Sequence, residues 1–185
     1  MKWLNFKTSL LFAPLAYAIH HAEENLILNF RAWRLQYFSD NNPLTTEAVF
    51  VILTAITLIY LILHSLYENK TSANLVILFL MGSQVANVIF HAGGTVIFWH
   101  YSPGLITGLL LYVPVNIVIL VKAYQEHWVT KRSLIVLLIA GNIVFWIFEI
   151  FGPLPVLILT IITFGWIIVT GTKQNLAGSE KQLTE

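Results

Sequence analysis

Apolar positions along this chain fall into long runs broken by short clusters of charge, Pro and Gly. Read for apolar runs of about 20 residues, the length that crosses a bilayer as a helix, the pattern predicts six spans. They are Leu10 to Phe30, Ala48 to Leu66, Ala73 to Trp99, Pro103 to Val121, Ser133 to Phe151 and Leu154 to Thr170. The third is longer than the bilayer needs and is expected to tilt. Only Gly152 and Pro153 separate the last two, with Pro155 close behind, which favours a tight turn over one long kinked helix. The expected fold is all-α: a polytopic membrane helix bundle of about six transmembrane helices, five if the last two merge or the first is removed. Residues 1–171 would form its one transmembrane domain and 172–185 a solvated cytoplasmic tail rich in Gly, Ser, Lys and Glu.

Composition agrees with the pattern. The chain is 57% hydrophobic and 10% charged, with a mean hydropathy of +0.76, whereas soluble domains carry about 25% charged residues. There are no cysteines, so disulfides and thiolate metal sites are excluded and any metal must be held by nitrogen and oxygen. Net charge is only +1, but its distribution is informative. In a six-span arrangement one side carries eight cations (Lys2, Lys7, Lys70, Lys122, Lys131, Arg132, Lys173 and Lys181) and the other only Arg31 and Arg34. The positive-inside rule then puts both termini in the cytoplasm, with the protein in the cell's inner membrane. Lys2, Lys7, the apolar Leu10 to Leu15 and Ala16-Tyr17-Ala18 also read as a secretory signal. The apolar run resumes at Leu26 to Phe30, which favours an uncleaved first helix.

Against this background His20, His21, Glu23 and Glu24 stand out, because ionisable groups inside an apolar span are costly and mark sites. Counted at about 1.5 Å per residue from the cytoplasmic ends, His20 lies about 15 Å deep, Glu24 about 21 Å, Asn87 about 21 Å, His91 about 27 Å and Glu149 about 24 Å. Nearly every costly polar residue thus falls in the outer half of the bilayer. Helical spacing groups His20 with Glu23 and Glu24, Asn87 with His91, and Asn142 with Glu149. His64 and His127 fall on the cytoplasmic side and read as interfacial residues.

His20-x-x-Glu23-Glu24, Asn87-x-x-x-His91 and Tyr101-Ser102-Pro103-Gly104, in this order over the first 110 residues or so, resemble the motif set of the HXXEE family of bacterial membrane proteins. The resemblance implies a multi-helix membrane protein with His20, Glu23, Glu24, Asn87, His91 and Tyr101 as functional positions. It implies no reaction.

The chemistry follows from the ligand types. Two histidines and a carboxylate with open positions suit zinc or non-haem iron, and His20, Glu24 and His91 supply that set. Glu23 is the expected base on metal-bound water and Tyr101 a proton donor. His21, Asn87, Asn142 and Glu149 are expected to surround the ligands. With three deep carboxylates one metal is favoured over two. The leading reading is a metal-dependent membrane enzyme, hydrolase or oxidoreductase, acting on a lipid or isoprenoid-like substrate. The alternatives are a metal-free His/Glu isomerase or cyclase, in which Trp99 and Trp146 would steady a cation, and a transporter or structural protein. Six histidines are too few for the boxes of di-iron desaturases. Leu28 replaces the arginine that intramembrane CAAX-type proteases need four residues after their Glu-Glu pair. Membrane lipids are the expected partners; nothing resembles a nucleic-acid surface or a nucleotide loop.

Overall fold

The computed structural model describes residues 3–184, with side chains to residue 177. Lys2 and the side chain of Lys181, both used in the charge count, lie outside the described residues. Eight helical elements follow one another: α1 (Phe6–Ser9), α2 (Phe12–His21), which continues as a π-helical turn (Ala22–Ile27), α3 (Phe30–Tyr37), α4 (Thr46–Tyr67), α5 (Lys70–Phe98), α6 (Leu105–Gln125), α7 (Lys131–Phe151) and α8 (Pro153–Thr184). Two of the long helices also contain a π-helical turn, Met81–Ala86 in α5 and Gly108–Tyr112 in α6.

Among the described residues five helices are long and apolar enough to cross a membrane: α4, α5, α6, α7, and α8 as far as Ala177. They match the last five expected spans to within a few residues at their apolar limits. Gly152 ends α7 with φ of 76°, and a Cβ there would meet the Asn41 carbonyl oxygen at 2.5 Å. Pro153 then opens α8, so the last two spans are separate helices. The expected first span is not one continuous helix. Leu28 is extended (φ −122°, ψ 165°) and Asn29 starts α3 by accepting a hydrogen bond from the Ala32 N–H, so the chain turns into a second short helix where a loop was expected.

The starts of the long helices are capped by side chains. Thr45 accepts from the Ala48 N–H, and Asn69 with Ser72 and Thr130 with Ser133 form reciprocal capping boxes. Of the five long helices α5 is the most buried. At one end of the bundle α1 is tucked under the others. Phe6 is fully buried, its N–H bonded to Glu126 at 2.7 Å and its ring edge-on to His64 at 5.1 Å. His64 is buried rather than interfacial, with Nδ1 2.8 Å from the Ser72 hydroxyl. At the opposite end Arg34 of α3 reaches Glu149 of α7 at 3.0 Å. Apolar packing of Phe6, Leu10, Val76, Leu80 and Ile119 fills the first end, and Trp33, Phe90 and Phe145 the second. Between them, beside Ala16, Tyr17, Val88 and Tyr112, lies a cluster of polar side chains.

Candidate metal centre

His20 of α2, Glu24 of its π-helical turn and His91 of α5 meet at this level. Oε1 of Glu24 lies 3.3 Å from Nε2 of His20 and 3.1 Å from Nε2 of His91. All three side chains are buried. Among the described residues theirs is the one group of three His, Asp or Glu side chains placed to share an ion, with one ligand atom from each inside 4.8 Å of the others.

Each imidazole is held from behind. Nδ1 of His20 lies 2.9 Å from the Thr107 hydroxyl and Nδ1 of His91 2.8 Å from the Ser102 hydroxyl, which leaves both Nε2 atoms facing Glu24. A partner on the second ring nitrogen is what orients a metal-binding histidine. The tautomer of His20 follows from the hydroxyl. Thr107 gives its one proton to Glu23, so it must accept from His20, and the proton of a neutral His20 sits on Nδ1. Nε2 then presents a lone pair to the Glu24 carboxylate. Although both Nε2 atoms are within ion-pair distance of Oε1, neither is aligned to form a hydrogen bond, and both are buried without such a partner.

The arrangement could hold a cation. Zinc bonds to nitrogen and oxygen of about 2.0–2.1 Å put neighbouring ligand atoms of a tetrahedron about 3.3 Å apart, and the two Nε2–Oε1 separations match that edge. The donor set of two imidazoles and a carboxylate is one that zinc and ferrous iron accept.

Gly104 seals the cluster. With φ of 102° it takes a backbone conformation that favours glycine, and a Cβ there would come to 2.8 Å from Cε1 of His20 and 2.9 Å from Nε2 of His91. Glu23 points away from Glu24 and ties down this same segment. Its carboxylate accepts from the Tyr101 hydroxyl, the Gly104 N–H at 3.1 Å, the Thr107 N–H at 2.7 Å and the Thr107 hydroxyl. Both backbone donors belong to the start of α6, where a carboxylate is favoured. With two donors on each oxygen, the Glu23 carboxylate is fully engaged in holding this segment. The phenol of Tyr101 is pushed up to about 12 by partial burial and by the bond it donates to Glu23.

The remaining expected positions separate. His21, Asn87 and Glu149 line a cavity beside the cluster together with Tyr17, His20, Glu24 and Tyr112. His21 stacks on Phe50 and its Nδ1 lies 3.0 Å from the Asn25 side-chain nitrogen. Asn87 has a buried Oδ1 without a hydrogen-bond partner. Glu149 is paired with Arg34, so it is not free to hold a second ion. Asn142 is not brought to the site: it bonds back to the Leu138 carbonyl oxygen and lines a shallow groove on the outer side of α7 with Ile139 and Trp146. Trp99 is 93% exposed, and neither it nor Trp146 lines the cavity.

Residues 11–119 match the family model described as "Protein of unknown function with HXXEE motif". The chain belongs to the HXXEE family. The matched stretch holds all three metal-ligand candidates, Glu23, Tyr101 and Thr107. A relative of this HXXEE protein, the "Uncharacterized protein YrkK" of Bacillus subtilis (strain 168), is 32% identical over 129 residues, covering 68% of this chain and 80% of its own length. No solved structure matches the chain.

Thr107 and Arg34 were not assigned roles at the site by sequence reasoning. Thr107 follows the Tyr-Ser-Pro-Gly motif by three residues, and a hydroxyl one turn into a helix that starts beside two histidines was the signal available.

Proposed function

We propose that this HXXEE protein is a membrane metalloenzyme that holds one zinc or ferrous ion between His20, Glu24 and His91 and acts on a lipid-like substrate in the adjoining cavity. The observation that carries this reading is the pair of buried, bare Nε2 atoms turned on one carboxylate oxygen, with the His20 tautomer set by Thr107. When bound, such an ion supplies Lewis acidity at its open positions. Glu24 offsets its charge, Thr107 and Ser102 aim the imidazoles, and Glu23 with Gly104 fixes the start of α6 against them. His21, which lines the cavity outside the ligand set, is assigned to proton transfer, and Asn87 to binding substrate. The eight-to-two cation split supports an inner-membrane orientation with both termini in the cytoplasm.

Elemental analysis of protein purified in mild detergent tests the metal. About one zinc or iron per chain is expected, with His91→Ala removing most of it and His64→Ala, at the other end of the bundle, leaving it in place. Folded protein that stays metal-free after growth in metal-supplemented medium overturns the reading.

A second reading has one observation in its favour: both Nε2–Oε1 separations are within ion-pair reach. A proton on either Nε2 would then take the place of the metal, making the cluster a proton store for an isomerase-type reaction. Metal-free protein with an active site intact would leave this reading in front.

A further inference from the structure

The cavity beside the metal candidates has two chemically different halves. Its upper half, level with the cluster, is lined by His20, Glu24, Asn87 and Tyr112. Here Oδ1 of Asn87 and the hydroxyl of Tyr112 are buried without hydrogen-bond partners. Buried polar groups left in this state are costly, about 1–3 kcal/mol each, so the pair calls for a guest that donates to an amide oxygen and exchanges a hydrogen bond with a phenol.

The lower half offers no such group. Its walls run down α4, α5 and α8 through Leu53, Leu78, Phe79 and Leu159. Each hydroxyl there is already occupied: Thr160 bonds to the Val156 carbonyl oxygen, Ser83 to that of Phe79, and Tyr60 pairs with Thr163 at 2.6 Å. That last pair joins α4 to α8 across the bottom and forms a floor, with the Phe79 ring 5.1 Å from Tyr60.

The charges at the mouth are spent on one another. Arg31 lies 3.2 Å from Asp40 and donates to the Leu44 carbonyl oxygen at 2.9 Å, and Arg34 pairs with Glu149 and donates to Asn41. The lining therefore sets two arginines, both engaged, against Glu24, Asp40 and Glu149, so that the charge of an ion held between His20, Glu24 and His91 would be largely offset within the lining itself. A phosphate or carboxylate head finds no free arginine there; a hydroxyl finds both partners it needs.

We propose that the cavity takes an uncharged, hydroxyl-bearing single-chain amphiphile, its hydroxyl at Asn87 and Tyr112 and its chain ending against the Tyr60–Thr163 floor. This deepens the metalloenzyme reading and rests on its identification of the cavity as the substrate site. The floor also sets a chain length. Asn87 and Leu78 are separated by about 13 Å of helix at 1.5 Å per residue, and an extended chain advances about 1.2 Å per bond, so about eleven bonds fit.

Photo-crosslinking tests this. A ten-carbon primary alcohol bearing a diazirine near its methyl end is added to the full-length protein, the labelled peptides are mapped by mass spectrometry, and metal content is measured on the same sample. Label is expected on Leu78, Phe79, Tyr60 or Thr163 and is expected to be displaced by excess 1-decanol at concentrations at least tenfold below those of decanoate or decyl phosphate. Asn87→Leu is expected to weaken displacement by 1-decanol about tenfold, and Thr163→Phe to reject 1-decanol while keeping 1-hexanol. Label spread equally over the outward-facing Ile139 and Ile143, or displaced equally by decanoate or decyl phosphate, overturns the proposal, and this wild-type comparison decides even where a variant fails to fold. Metal present with no cavity labelling removes this proposal alone, whereas cavity labelling without metal removes the metal reading alone.

Discussion

Oγ1 of Thr107 stands 2.9 Å from Nδ1 of His20 while giving its proton to Glu23, so one hydroxyl fixes which nitrogen of His20 faces Glu24. Thr107→Val keeps the shape and removes the bond. Loss of a partner behind a metal-bound histidine costs about 10–100-fold in affinity. Competition against a zinc chelator is expected to show that loss, with Thr107→Ser near wild type. Equal affinity in Thr107→Val would mean the hydroxyl does not orient the ring.

Gly104→Ala is expected to be worse. The new methyl meets both imidazoles at under 3 Å and sits on a backbone with φ of 102°. A zinc affinity reduced at least tenfold, together with a lower melting temperature, is the expected pair of readouts, because close packing and backbone strain are both disturbed. A variant that loses stability yet binds zinc normally would show that the segment can shift without moving His20 or His91.

Tyr101 supplies a pH signature. Its folded value is raised, to about 12 from the ordinary 10.0. The bond to Glu23 therefore contributes fully below pH 10, and the contribution is lost as pH climbs through 12. Thermal melts across that alkaline window are expected to fall less steeply for Tyr101→Phe, which has no proton to lose. Parallel curves for the two proteins would count against a Tyr101–Glu23 bond.

Arg34 and Glu149 are both largely buried, their side chains 11% and 8% exposed. Removing one partner of such a pair costs about 3–5 kcal/mol, because the other charge stays buried. Arg34→Leu should lower unfolding free energy by about that much, and the double variant Arg34→Leu/Glu149→Leu should recover much of it. If the two single losses simply add in the double variant, the residues are not coupled.

Orientation is open to reporter fusions. Fusions at the C-terminus and in the segment from Tyr124 to Arg132 are expected in the cytoplasm, and one between Ser39 and Leu44 on the opposite side. A C-terminal fusion on the outside would remove the proposed topology.

The apolar runs located α4 to α8 because each is bounded by charge or by Pro and Gly, and the Gly152-Pro153 pair placed the turn between α7 and α8. Depth counting brought His20, Glu24 and His91 together because residue rise survives small changes in helix type. Facing direction did not survive equally well. Spacing grouped Glu23 with His20 and Glu24, but Glu23 turns toward the start of α6. Asn142 and Glu149, seven residues apart, were expected on one stripe and instead face the outer groove and the cavity. The helix α3 was hidden because Arg31, Arg34 and Gln36 gave its segment the polarity of a loop, although Asn29 was a fitting cap.

Three π-helical turns, in the three helices that bring Glu24, His91 and Tyr112 to the cluster, act as phase shifters. Such a turn accommodates one residue more than an α-helical ladder would. Deleting one residue from Met81–Ala86 would let α5 revert to an unbroken ladder with His91 still facing the cluster, whereas deleting one from the regular α-helical stretch Val88 to Phe90 would rotate everything beyond it by about 100°, one residue's step around the axis. His91 would swing out of the cluster without being mutated or changing depth by more than one rise. The site is thus written as much in the count of residues between the turn and the ligand as in their identity, and a single-codon deletion there is as direct a way to erase it as replacing a ligand.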